Sequence, residues 1–90
     1  MKLSEFSMQK NGHYKVYNKK TGKLLLEKNY KNGLLHGPIK IFWATGQLRL
    51  MGYYQYTHRK GKWKTFDRDG SLISEDYYEI NYKLEKITNI

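Results

Sequence analysis

A lysine two residues before an aromatic ring recurs at intervals of 25 and 24 residues: Lys15 with Tyr17, Lys40 with Phe42 and Lys64 with Phe66. Ammonium groups interleaved with rings can bind nucleic-acid strands, acidic peptides or lipid headgroups, because charge attraction and stacking act together. The same arrangement also serves solubility, since lysine stems can cover exposed rings while their charges stay in water. Catalytic arrangements are less well supported. Asp67 and Asp69 flank a turn in an Asp-x-Asp-Gly sequence, which is ordinary turn chemistry. His13, His36 and His58 sit next to turn sequences at spacings that match no zinc signature. Ser71 and Ser74 have no histidine at elbow spacing, and no Gly-rich phosphate loop opens a helix. The expectation is a binding protein, not an enzyme, with no metal and no cofactor.

The three lysine pairs are carried by a repeat. Gly22, Gly46 and Gly70 are 24 residues apart, each followed two residues later by Leu24, Leu48 or Leu72 and eight residues later by Tyr30, Tyr54 or Tyr78. A period of this length signals stacked copies of one supersecondary unit. Before each glycine the residues alternate: Ile39, Ile41 and Trp43 point one way, Lys40 and Phe42 the other, as in a strand. After it, Leu48 and Leu50 are expected to share a face opposite Arg49 and Met51. The intervening glycines suit a tight hairpin turn, and Asn11-Gly12 and Asn32-Gly33 are turn dipeptides between hairpins.

The sequence therefore predicts an all-β protein, an open, twisted antiparallel meander of β-hairpins with about seven strands. One domain covers residues 1–90: a lone starting strand at 5–11, repeats at about 12–36, 37–60 and 61–84, and a C-terminal cap at 79–90. In the cap, Tyr78, Ile80, Tyr82 and Leu84 alternate as a strand, whereas Tyr77, Ile80, Leu84 and Ile87 fall at helical spacing, so a short capping helix is the alternative. Repeated tyrosines and phenylalanines are expected to stack as ladders across the sheet. Tyr14, Ile39 and Trp63, with Val16, Ile41 and Thr65, form the more apolar face, either the packed side or a protein interface.

Charge is unevenly placed. The net charge is +9, but residues 10–64 hold thirteen Lys or Arg against Glu27 alone, while residues 65–90 hold three against six acids. A cationic body attracts anionic partners over a Debye length of about 8 Å at physiological salt. Lysine supplies fourteen of the seventeen positive charges, which argues mildly against bidentate recognition, the speciality of arginine. Zero cysteines fit a reducing compartment, and with no apolar run suited to a signal peptide or a membrane span the expected location is the cytoplasm.

Written as Gly-x-Trp-x-x-Phe followed by Gly-x-Leu-x-x-Glu-x-x-Tyr, the residues Gly61, Trp63, Phe66, Gly70, Leu72, Glu75 and Tyr78 resemble the MORN repeat in its bacterial variant form. The middle copy matches at Gly37, Phe42, Gly46, Leu48 and Tyr54, with Ile39 in the tryptophan position and Met51 in that of the glutamate. The first copy matches at Gly12, Tyr14, Tyr17, Gly22, Leu24, Glu27, Tyr30 and Gly33, with one extra residue in its turn. The resemblance implies an open sheet of MORN-type hairpins that acts by binding. Such repeats look like those of bacterial YwqK-type antitoxins, which implies a toxin partner, and of eukaryotic proteins associated with membranes and scaffolds. The leading expectation is thus a protein-interaction module that meets a toxin or an identical subunit, as a homodimer, through a sheet face or edge. The alternative is an anion-binding module for acidic phospholipid or single-stranded nucleic acid.

Overall fold

The structure is a computed structural model and describes residues 11–79. The predicted lone strand at 5–11, apart from Asn11, and the predicted cap beyond residue 79 lie outside the described residues. Seven strands follow in chain order: β1 (Gly12–Tyr17), β2 (Leu24–Lys31), β3 (Leu34–Leu35), β4 (Gly37–Phe42), β5 (Leu48–Gln55), β6 (His58–Phe66) and β7 (Leu72–Tyr78). They form one antiparallel sheet in the order β1, β2, β4, β5, β6, β7, with the two-residue β3 also paired to β2. The Cα positions span 49 × 40 × 15 Å, the proportions of a single layer. The expected meander of hairpins is therefore the fold.

Two kinds of turn alternate along the meander. At the first kind, Asn18, Trp43 and Asp67 each open a hairpin whose backbone closes through Gly22 N–H to Asn18 O (2.7 Å), Gly46 N–H to Trp43 O (2.8 Å) and Gly70 N–H to Asp67 O (3.0 Å). Asn18 Oδ1 also accepts from the amides of Lys20 (2.8 Å) and Thr21 (3.1 Å), which organises the turn that is one residue longer. At the second kind, only two residues join the strands: Asn32-Gly33 between β2 and β3, and Tyr56-Thr57 between β5 and β6. All four have positive φ, at 54°, 81°, 47° and 71°. This is the requirement of a type I′ turn, whose hand matches the twist of the strands it joins. Asn-Gly meets it easily. Tyr56 and Thr57 do not, and a β-branched residue at positive φ is strained.

Past each two-residue turn the pairing slides. Tyr54 faces Arg59 and Tyr53 faces Lys60, but Met51 faces Lys64, so β6 carries two extra residues around Gly61. The same slide separates Tyr30 facing Leu35 from Glu27 facing Lys40, around Gly37. Gly61 (φ 75°) and Gly37 (φ 108°) supply the backbone conformation that such a bulge needs.

A second irregularity corrects the sequence reading. In each hairpin the register steps by one residue, so that Phe42 faces Leu48 while its neighbour Ile41 faces Leu50, with equivalent steps at Val16/Tyr17 and Thr65/Phe66. Adjacent residues of β4 point to opposite faces, so Leu48 and Leu50 lie on opposite faces and do not share one. The extra residue, Arg49, absorbs the change.

Only Ile39 (8% exposed) and Trp63 (3%) are buried hydrophobics among the described residues. A single layer has no opposing sheet to fill, so its core is a strip on one face. Trp63 lies flat over Gly52, where a Cβ would stand 2.1 Å from the indole Cδ2. Tyr54 and Tyr78 meet the same indole edge-on, at 5.0 and 6.2 Å between centroids. Its Nε1–H donates to Tyr53 O at 3.2 Å. The tyrosines at equivalent repeat positions are two strands apart, so they meet through the residue between them and not as a direct ladder. At the other end, Tyr14 and Tyr30 make the corresponding edge-on contact at 5.4 Å.

Two substitutions test these devices. Gly52→Ala should destabilise by about 2–3 kcal/mol, through overpacking against Trp63, with a shifted tryptophan emission in the folded baseline of a urea titration. Thr57→Gly should stabilise by about 1 kcal/mol, the relief of positive φ less the entropy cost of glycine. A urea midpoint that fails to rise would show that Thr57 is not strained.

Candidate binding face

On the face opposite Trp63, strand pairing builds a continuous row across the sheet. Lys15 faces Glu27, Glu27 faces Lys40, Lys40 faces Met51, Met51 faces Lys64, and Lys64 faces Glu75. Strand parity places Tyr17, Phe42 and Phe66 beside the row on the same face, paired with Leu24, Leu48 and Leu72. On its other side come His13 with Asn29, Pro38 with Tyr53, and Lys62 with Tyr77. The six lysine and aromatic residues singled out from sequence thus share one face. They do not form an array of cations alone, because acidic or apolar residues alternate with the lysines.

The acids are already engaged. Glu27 accepts from His13 Nε2 at 3.1 Å and lies 3.8 Å from Lys15 Nζ, while Glu75 pairs with Lys62 at 3.3 Å. Lys40 and Lys64, on either side of Met51, have no ion-pair partner among the described residues. Next to this gap an open hollow of about 280 Å³ is lined by His13, Glu27, Asn29, Pro38 and Lys40. Apolar surface is exposed on the same face: Tyr77 at 71%, Tyr17 at 52%, Leu72 at 51% and Tyr53 at 41%.

The opposite face holds Tyr14, Ile39 and Trp63, the residues read as packed side or interface. Ile39 and Trp63 are buried there, with the rings of Tyr54 and Tyr78 against Trp63. Arg59 lies 4.2 Å above the Trp63 ring and donates to Tyr78 Oη at 3.1 Å. Burial lowers the pKa of this guanidinium, but its hydrogen bonds to Tyr78 and Tyr54 outweigh that and leave it raised. Trp43 draws in both remaining arginines, with Arg49 at 4.4 Å and Arg68 at 5.0 Å from its ring. Its Nε1–H donates to Phe66 O in the next hairpin at 3.2 Å, beside an open cleft of about 310 Å³ that includes Leu50 and Ile73. All three arginines therefore serve tryptophan rings.

Other polar residues keep structural roles. Asp69 accepts from the Ser71 amide (2.9 Å) and hydroxyl (2.6 Å), and those bonds hold its carboxyl below the usual aspartate range. His36 Nδ1 accepts from the Tyr56 amide at 3.2 Å, with the two rings 4.3 Å apart. Among the described residues no group of three or more histidines and acids is placed to hold a metal.

Sequence reasoning missed Glu27, Met51 and Glu75 as members of the lysine row, although their 24-residue spacing was visible. It also missed Tyr53 and Tyr77, which recur at the same interval. The signal for Trp43 was its place in a turn where the neighbouring repeats have Asn18 and Asp67.

Residues 35–56 and 59–79 each match the family model of the MORN repeat variant. The two segments correspond to the second and third hairpins of the sheet, from Leu35 through Tyr56 and from Arg59 onward. Such repeats are generally associated with binding or interaction modules. No curated protein and no solved structure matches the chain.

Glu27 is the acid most surrounded by cations, which fixes the sign of one prediction. Glu27→Gln should lower stability by about 0.5–1 kcal/mol at low ionic strength, and the loss should shrink in molar salt. A salt-independent effect would point to packing and not to charge.

Proposed function

We propose that this chain is a non-enzymatic protein-interaction module that binds through its lysine-bearing face. The observation that carries this reading is the exposure of Tyr17, Tyr53, Leu72 and Tyr77 around a charged row, on the face opposite Trp63. Rigid tyrosines cost little entropy when they are immobilised, and charges between them supply specificity. The partner presents an acidic or apolar surface, because the face carries more lysines than acids. A toxin neutralised by an antitoxin-like chain and an identical subunit are two forms of this reading.

Anion binding is the second reading, favoured by Lys40 and Lys64, which have no ion-pair partner among the described residues. In that case acidic vesicles or single-stranded oligonucleotides bind with an affinity that falls steeply with salt.

Capture from the native cell with mass spectrometry, repeated with the variant Tyr53→Ser/Tyr77→Ser, separates the two readings. A protein partner lost at least about tenfold in the tyrosine variant, with modest salt dependence, is the expected result. Retention of nucleic acid or lipid alone, dependent on Lys40 and Lys64 changed together to Gln, would establish the anion reading instead. A chain that remains monomeric at high concentration and captures nothing would end both.

A further inference from the structure

We propose that the gap above Met51, between Lys40 and Lys64, is the seat for one carboxylate, supplied by an isolated acidic side chain of a partner polypeptide. This rests on the reading of the face as a protein-binding surface and names the chemistry of its contact. The row across the sheet alternates lysine with acid except here: Glu27 stands between Lys15 and Lys40, Glu75 stands on the far side of Lys64, and the position between Lys40 and Lys64 is Met51. Glu27 is held by His13 and Lys15, and Glu75 by Lys62, and neither makes an ion pair with the two lysines that flank the gap. Their strands lie about 10 Å apart, one strand spacing on either side of Met51. A carboxylate above the methionine is within reach of both flexible ammonium groups. Pro38 and the exposed ring of Tyr53 border the gap on the same face, and with the Met51 thioether they suit the methylene stem of a glutamate.

The charge pattern selects a single carboxylate over a polyanion. Glu27 and Glu75 lie two strands to either side of Met51, at about 10 Å. A phosphodiester strand or an anionic membrane laid along the row would meet both acids, at a repulsive cost. One side chain reaching down between the lysines meets neither.

The test uses the full chain and two short peptides that are identical except for one glutamate or glutamine between threonine and leucine, followed by amide shifts in NMR titrations. The wild type should bind the glutamate peptide at least about fivefold more tightly at low salt. The largest shifts should fall at Lys40, Met51 and Lys64. Met51→Glu places the chain's own carboxylate in the seat. It should erase the preference while raising the melting temperature, whereas Met51→Gln should keep the preference. Loss of binding with a gain in stability cannot come from misfolding. A preference that survives in Met51→Glu, shifts spread evenly over all lysines, or tighter binding of an oligothymidine at the same amides would each overturn the proposal. Partner capture that depends on Tyr53 and Tyr77 but is unchanged in Met51→Glu would remove the seat and leave the interaction module standing.

Discussion

The sheet depends on the contact of Trp63 with Gly52. The described residues form one layer with no second sheet and no helix among them, so the apolar burial they provide comes from side chains lying flat on the sheet's own backbone. The indole can do this only where the opposing strand lacks a Cβ, and Gly52 supplies that opening. Tyr54, Tyr78 and Arg59 then lie against the ring, whose exposure is 3%. Ile39 is the only other described hydrophobic buried to a comparable degree. The stability of the unit is concentrated in the strip these residues form, which frees the opposite face from any duty in the core.

Register follows from this arrangement. The bulges at Gly37 and Gly61 let a type I′ turn and a flat indole coexist on neighbouring strands, because each slides the pairing by two residues between turn and core. Once the pairing is set, lysines and acids from five strands, with Met51 of β5 between them, fall into one transverse row. Cross-strand pairing of opposite charges is worth little per pair, and exposed pairs less still. The row is better understood as a charge pattern displayed by a sheet that Trp63 already holds.

The hairpins, their glycine turns and the shared face of Lys15, Lys40 and Lys64 were legible in the sequence, because period-two alternation and turn dipeptides are local signals. The one-residue step between Ile41 and Phe42 was not, since a bulge is defined by the partner strand and leaves no mark on the alternation of the strand it faces. For that reason Leu48 and Leu50 read as companions although they lie on opposite faces. The acids of the lysine row were equally hidden: Glu27 and Lys40 become neighbours only when the second strand of one repeat meets the first strand of the next. Trp43 looked like one more strand residue, whereas its turn position sends it across to Phe66 and the arginines.

Departures from the repeat gather in its middle copy. Ile39 replaces an aromatic residue, Trp43 replaces a turn-forming Asn or Asp, Met51 replaces a glutamate, and Tyr56-Thr57 replaces Asn-Gly in a turn that needs positive φ. Ile39 still serves burial, so its change is a matter of packing. The other three are not required by the sheet, and two run against local preference: the tyrosine–threonine turn is strained, and Met51 leaves two lysines without an intervening acid. Sequences that violate local rules do so most often where recognition or chemistry is at stake. Glu27 and Glu75 show that a glutamate fits the position of Met51, and Asn32-Gly33 of the first copy shows that an Asn-Gly turn fits that of Tyr56-Thr57, so the fold itself does not demand these exceptions. The face around Met51 is where such an exception also lies beside exposed tyrosines, so repeat-breaking and accessibility point to the same place.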